Sequence, residues 1–316
     1  MVLEHSLHPL SQAQPPRGSD LSLRSLEDFA KYYLLVCKVE QKSPKTISTY
    51  AERVNSFVLF TDKNADAITA YDIRLFLLSL QEKGLGANSI RAYYRALHSF
   101  FGWLIRENLL TAHPMATLKP PKVPKKLVRC LTIQNIKDVL AVSSSHHWTD
   151  IRNCALFLMF LDTGLRLDEM STIQMSQVDL ENGSILVMGK GAKERRVRLG
   201  SVTHKALLRY WISRKDILLP CLWITEEKTP MHRNGVQMAI RRMLRNAGCE
   251  GVKIGPHTLR HTAAMSYLRN GGDLATLQVM LGHADISTTK IYLSSLASED
   301  MMKVHQRASP VDNLWK

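Results

Sequence analysis

One eleven-residue stretch constrains this chain more than any other. Lys119 to Arg129 reads K-P-P-K-V-P-K-K-L-V-R, with three prolines, five basic residues and no acidic one. Proline fixes φ and removes a backbone donor, so neither a helix nor a central strand runs through such a segment. Apolar periodicity lies on both sides of it, so the chain must build two separate cores. The expected division is a flexible tail over 1–20, a helical domain over 21–118, a basic linker over 119–130 and a second domain over 131–316. A length of 316 residues also fits two bodies at the usual ~150 residues per domain.

Before the linker, apolar residues recur at three- and four-residue spacing, the stripe of an amphipathic helix. Leu23, Leu26, Phe29, Ala30 and Tyr33 form one such stripe. A second helix is expected after Ser43-Pro44, with Ile47, Tyr50, Val54, Phe57 and Val58 inward. A third follows Thr69 as N-cap and stops at Gly84, and a fourth starts near Asn88-Ser89. Four helices in one stretch predict an all-α unit.

Beyond the linker, helical patterning is expected over Ile133–Val142, Ile151–Leu161, Val202–Lys215, Gly235–Ala247, His257–Asn270 and Leu274–Leu281. Between them, Ser184–Met188 and Arg195–Leu199 are short apolar or alternating runs around Gly189-Lys190-Gly191, which predicts a β-hairpin with a basic tip. In the second run Val197 and Leu199 share one face, and Arg196 and Arg198 the other. The fold class is therefore mainly α, with α+β character in the second domain.

Charge narrows the partner. Forty-two Lys and Arg against 28 Asp and Glu leave +14, with a sequence pI near 9.6. A polyanion is the natural partner, nucleic acid first and anionic lipid second. No run approaches the ~18 apolar residues of a membrane span, and Met1–Asp20 lacks the pattern of a secretory signal. Five scattered cysteines without C-x-x-C point to reduced thiols in a cytoplasmic protein and away from a zinc framework.

Familiar cofactor motifs fail on inspection. Gly183 and Gly189-Lys190 are spaced wrongly for a phosphate-binding loop, and Gly191 stands where Ser or Thr would hold magnesium. A dinucleotide fingerprint fails at Glu194. His257 and His261 are four apart, but Thr258 replaces the glutamate of a zinc-protease helix. The expectation is phosphate chemistry with no metal and no cofactor.

The residues for it are present. Gly255-Pro256 sets a helix start that places His257 and Arg260 on one face near a helix N-terminus, favourable for an anion. Upstream, T-G-L-R-L-D-E at 163–169 supplies Arg166 and Glu169. Two guanidiniums fork onto phosphate oxygens, and a tyrosine hydroxyl becomes a nucleophile once a neutral imidazole removes its proton. A lysine on a hairpin tip can protonate a departing 5′-oxygen. Together these groups suit a phosphodiester.

The boxes T-G-L-R-x-x-E, G-K-G-x-K-x-R at 189–195, H-x-L-R-H-T at 257–262, L-G-H at 281–283 and T-T-x-x-Y at 288–292 resemble those of the tyrosine recombinase (phage integrase) family, in the two-domain form of the bacterial Xer recombinases. The resemblance spans roughly Thr132 to Leu296, and the helical domain resembles the family's SAM-like core-binding domain more weakly. It implies Tyr292 as nucleophile, Arg166 and Arg260 on the non-bridging oxygens, and His257 as general base or acid. It further implies His283 hydrogen-bonded to the phosphate, Lys190 as general acid, and Glu169 orienting the basic groups. Lys193 and Arg195 share the hairpin with Lys190 and are alternatives for reaching the backbone. Asp168 and Leu293 depart from the family's usual residues without removing a catalytic group. His261 is expected to be structural, bonded to a neighbouring backbone group.

Candidate DNA contacts are Tyr50, Arg53, Arg91, Arg95 and His98 in the first domain, and Lys119, Lys122, Lys125 and Lys126 in the linker. Lys193, Arg195, Arg241, Arg242 and Arg245 extend the set in the second. The expected function is site-specific recombination of double-stranded DNA at an inverted-repeat site through a 3′-phosphotyrosine. The expected assembly is a dimer on one site and a tetramer in the synapse, of this chain or with a paralogous recombinase. Ser294–Lys316 is expected to dock on a neighbouring protomer. A type IB topoisomerase, a telomere resolvase and a non-catalytic DNA-binding regulator are the competing readings.

Overall fold

The computed structural model describes residues 25–124, 130–143, 147–189, 194–214, 217–249, 255–282, 287–293, 295–296, 302 and 305–306. The chain divides into two compact units, one ending at Lys125 and the other starting at Lys126. The expected tail over 1–20 and the docking segment beyond Leu296, save its isolated residues 302, 305 and 306, lie outside the described residues.

In the first unit four helices follow the apolar stripes: α1 (Leu26–Val39), α2 (Pro44–Val58), α3 (Ala70–Glu82) and α4 (Ala87–Arg106). Local chemistry sets their starts. Ser25 and Ser43 accept from the backbone N–H groups of Asp28 and Thr46, and Pro44 occupies the first helical position of α2, where its missing donor is harmless. Thr69 and Asp72 close a capping box at α3, and Lys63 reaches the Asp72 carboxylate at 2.7 Å. An aromatic core joins the helices: Phe57 meets Phe76 and Phe101 edge-on, and Tyr33 contacts Phe100 and Trp103. Each such ring contributes about 1.5–3 kcal/mol by leaving water. The Tyr94 hydroxyl donates to the Leu118 carbonyl at 2.5 Å, tying the residues before the proline-rich stretch to α4.

The second unit contains α5 (Ile133–Val142), α6 (Trp148–Thr163), α7 (Leu167–Thr172), α8 (Ser201–Ser213), α9 (Arg233–Asn246), α10 (Pro256–Arg269), α11 (Leu274–Leu281) and α12 (Ser287–Leu293). Its sheet is antiparallel in the order β1 (Val178–Asp179), β2 (Ser184–Met188), β3 (Glu194–Arg198). The anticipated hairpin forms with Val187 opposite Arg195 and Met188 opposite Glu194. Three short elements, α7, β1 and α12, have no counterpart in the sequence expectations, because runs of two to seven residues carry too little periodicity to read.

Helix α6 is the spine, with Leu156, Phe157, Met159 and Phe160 fully buried and α8, α9 and α10 packed against it. Helix α10 is buried around most of its circumference, including Leu259, Arg260, Thr262, Ala263 and Ala264. Such a helix can bring a charged side chain to an interior site only if that charge is bonded. Two helices, α6 and α11, end in left-handed glycines, Gly164 at φ 60° and Gly282 at φ 62°. Glycine takes this conformation without steric penalty, and both carbonyls turn towards arginines.

Candidate active site

Arg166 is the N-cap residue of α7, and Glu169 stands at that helix's third position. The Glu169 carboxylate accepts from the Arg166 backbone N–H at 2.9 Å and from its guanidinium at 2.8 Å. It also takes both terminal nitrogens of Arg195, at 3.1 and 2.8 Å. Burial pushes the carboxyl upward in pKa, but the bonds from Arg195 and Arg166 outweigh it and hold Glu169 below its usual range. Its side chain is 7% exposed, so the carboxylate is an internal counter-charge for two arginines.

Arg260 is 6% exposed. Its guanidinium donates to Gly164 O at 2.6 Å and to Leu281 O at 2.8 Å. Arg166 donates to the next carbonyl, Gly282 O, at 2.8 Å. Two arginines from different helices thus grip adjacent carbonyls at the C-terminus of α11. Burial first, and the neighbouring Arg166 charge second, push Arg260 down to about 10, which leaves it cationic at neutral pH. The Arg166 side chain is 37% exposed and is the more accessible of the two.

Tyr292, on α12, is 1% exposed and sits among Ala264, Met265, Leu268, Leu277 and Leu281. Burial pushes its phenol up, against the lowering influence of Arg260 and Arg166. Its hydroxyl lies 3.0 Å from Nδ1 of His261. His261 was expected to bond a backbone group; it pairs instead with the candidate nucleophile. Burial, then the His257 and Arg260 charges, push its imidazole down. His257, one helical turn earlier, is exposed, so the face it shares with Arg260 grades from solvent to interior.

Arg195 corrects a second expectation. Placed among the DNA contacts, it is turned inward instead, with its side chain 11% exposed and Nε on Met280 O at 3.1 Å. Strand parity carries the signal: Arg195, Val197 and Leu199 alternate onto the same side of β3, and the latter two are buried. Asp168, the departure beside Arg166, pairs with Arg233 at the surface.

Lys190, Lys193, His283, Lys125 and Lys126 lie outside the described residues. Among the other expected DNA contacts, Arg95, His98, Lys119, Lys122, Arg242 and Arg245 are exposed and Arg241 is half-buried. Tyr50 is half-buried against Tyr33, Arg53 stacks over the Tyr93 ring at 5.7 Å, and the Arg91 Nε is buried without a hydrogen-bond partner. These three have packing roles whatever else they do. Among the described residues no cluster of three metal-ligating side chains occurs and no helix is long and apolar enough to cross a membrane.

Known proteins share both units. The phage integrase family pattern matches residues 129–299, and the N-terminal SAM-like domain of phage integrase matches residues 29–110. Tyrosine recombinase XerC of Bacillus pumilus (strain SAFR-032) is 30% identical over 280 residues, covering 85% of this chain and 91% of that protein. The crystal structure of XerH site-specific recombinase bound to palindromic difH substrate, a post-cleavage complex, is 25% identical. It covers 91% of this chain and 85% of its own, with a TM-score of 0.71. A lambda integrase(75-356) dimer bound to a COC′ core site shares the fold at a TM-score of 0.72 and 18% identity, over 87% of this chain and 97% of that one. With its pair of arginines on adjacent carbonyls, bridging glutamate and enclosed tyrosine, this chain belongs to the phage integrase family and is a Xer-like tyrosine recombinase.

Proposed function

We propose that the chain cuts and rejoins DNA strands through Tyr292, which attacks a phosphodiester to form a 3′-phosphotyrosine and free a 5′-hydroxyl. Arg166 and Arg260 hold the non-bridging oxygens and stabilise the charge that develops on them. His257 serves as general base or acid beside the phosphate, His283 hydrogen-bonds it, and Lys190 protonates the departing 5′-oxygen. Glu169 keeps Arg166 in position. The covalent intermediate conserves the bond energy, so rejoining by the reverse attack needs no cofactor.

The observation that carries this reading is the convergence of α7, α10 and α12. Arg166 and Arg260 bond adjacent carbonyls at the C-terminal end of α11, and Tyr292 shares a buried apolar cluster with Leu281, one of those two residues. The DNA is proposed to be a duplex with an inverted-repeat core. One dimer would occupy a site and two sites would pair in a tetramer, acting in the cytoplasm. XerH bound to difH and the lambda integrase dimer on a core site support the partner class. Exposed Arg95, Lys119, Lys122, Arg242 and Arg245 would follow the backbone, with the linker over 119–130 joining a core-binding domain to a catalytic one. The similarity to XerC favours recombination over relaxation of supercoils.

A nicked suicide duplex carrying the target site tests the chemistry. The wild type should form a covalent adduct and Tyr292→Phe should not. An undiminished adduct with Tyr292→Phe would remove Tyr292 from the role.

A further inference from the structure

A nucleophile that is 1% exposed cannot touch the phosphate of a duplex. Tyr292 must therefore leave its pocket before it attacks, and whatever holds it there sets how readily it leaves. Its ring is covered by apolar side chains of α10 and α11, contacts that favour burial but do not fix the hydroxyl. The polar contact is directional: the phenol oxygen lies 3.0 Å from His261 Nδ1, with the two rings edge to face at 5.7 Å between centroids.

We propose that His261 is a positioning residue that stores Tyr292 by accepting its hydroxyl proton in a hydrogen bond, and that breaking this bond precedes attack. The proposal rests on the reading of Tyr292 as nucleophile. It adds to that reading a residue which holds the reacting hydroxyl away from the substrate.

The alternative, that His261 takes the proton as a general base in this position, is disfavoured by the same surroundings. A phenol near 10 and an imidazole near 6.5 are already poorly matched for proton transfer. Burial pushes the phenol up and the imidazole down, so the mismatch widens. What such a pair forms well is a hydrogen bond from a neutral phenol to a neutral imidazole. The groups facing it are His257 and Arg260 from α10, Arg166 from the α7 start, and Cys130 ahead of α5. Among them are the two arginines proposed to bind phosphate, so an anion arriving there changes the field at the stored hydroxyl.

Removing the acceptor takes from the buried phenol the hydrogen bond that His261 provides, which raises the fraction of time Tyr292 spends outside its pocket. The test is the single-turnover rate of adduct formation on a saturating nicked duplex. His261→Phe fills the same space without an acceptor and should react roughly three to ten times faster than wild type, the fold-change equivalent to one net hydrogen bond. His261→Asn offers an amide oxygen near the Nδ1 position and should restore the wild-type rate. Without DNA, nitration mapped by mass spectrometry should mark Tyr292 in His261→Phe but not in wild type, while buried Tyr210 stays unmarked in both.

A slower or unchanged rate in His261→Phe overturns the proposal, as does equal protection of Tyr292 in the two proteins. Should His261→Phe fail to fold, His261→Gln carries the same expectations, because its amide reaches the Nε2 position instead. Combining Tyr292→Phe with His261→Phe separates the two readings. An adduct in that double variant defeats the nucleophile assignment, whereas its absence with no acceleration in His261→Phe defeats the storage role alone.

Discussion

Arg195 bonds both oxygens of Glu169, at 3.1 and 2.8 Å, although the two are 26 residues apart in the chain. The pair joins the hairpin strand β3 to the start of α7, and Arg195 Nε adds α11 through Met280 O. A buried pair broken on one side leaves an uncompensated charge, which costs about 3–5 kcal/mol. Arg195→Ala and Glu169→Ala should each lower stability by that order. The double variant should lose less than the sum, measured as the coupling energy in urea melts. Arg195→Lys should rescue only partly, because an ammonium cannot span both oxygens.

Gly282 is sensitive for two reasons. Its φ is +62°, and an added Cβ would stand 2.8 Å from Arg195 Nη1. That guanidinium end is not free to swing away, since Glu169 and Met280 hold it. Gly282→Ala should cost about 1–2 kcal/mol for the left-handed backbone alone. It should also slow adduct formation by displacing the carbonyl that Arg166 grips, a loss that thermal melts and single-turnover kinetics resolve separately.

Arg260→Lys should leave the duplex bound and the chemistry impaired. A lysine supplies one point of charge where Arg260 now reaches Gly164 O and Leu281 O at once. Loss of a preorganised donor to a transition state is worth about 10²–10³ in rate. Gel-shift affinity near that of wild type, with adduct formation reduced on that scale, is the expected pattern.

Asp72 gives the first unit an acid-labile cap. Lys63 foremost, then the Thr69 hydroxyl and backbone N–H, pull its carboxyl down to about 2 from the ordinary 3.8. The folded pKa is depressed, so the stabilisation is present above about 3.8 and is lost as pH falls through about 2. Asp72→Asn should lower the melting free energy at neutral pH by about 1 kcal/mol, a typical cap contribution. The wild type and variant should converge only once the pH is well below about 2, where the Asp72 carboxyl is protonated and both side chains are uncharged.

Arg242 and Arg245 lie exposed on α9. If they contact phosphates, replacing both with Gln should reduce the slope of log K against log salt by up to about 1.8, near 0.9 per contact. Fluorescence anisotropy on a random-sequence duplex at several salt concentrations measures it. An unchanged slope would remove both from the backbone contacts.

The four helices of the first unit and most of the second were legible because apolar stripes run their whole length. Ser43-Pro44 and Thr69 marked two of the starts through their capping chemistry. Arg166, Glu169, Arg260 and Tyr292 stand out in the sequence because their residue types and spacing suit one phosphate, and the structure sets Glu169 on Arg166 and the two arginines on adjacent carbonyls. Arg195 and His261 do not stand out, for different reasons. Arg195 was read as a surface charge although its parity with Val197 and Leu199 pointed inward. His261 pairs across a sequence separation of 31 residues, a contact made only when α12 folds back on α10. No local pattern encodes that return.

The carbonyls of Leu281 and Gly282 have a further consequence. The last carbonyls of a helix together carry roughly half a negative charge, and here they face Arg260 and Arg166. A phosphate brings a full charge to the same nitrogen donors. On the proposed function, DNA does not fill a vacancy; it substitutes for a helix end. Uptake of the phosphate would then be an exchange of partners that unfastens α11, whose Leu281 and Leu277 share a buried apolar cluster with Tyr292. Recognition and uncovering would share one set of nitrogen atoms, and a duplex that presents no phosphate there would leave the cover closed.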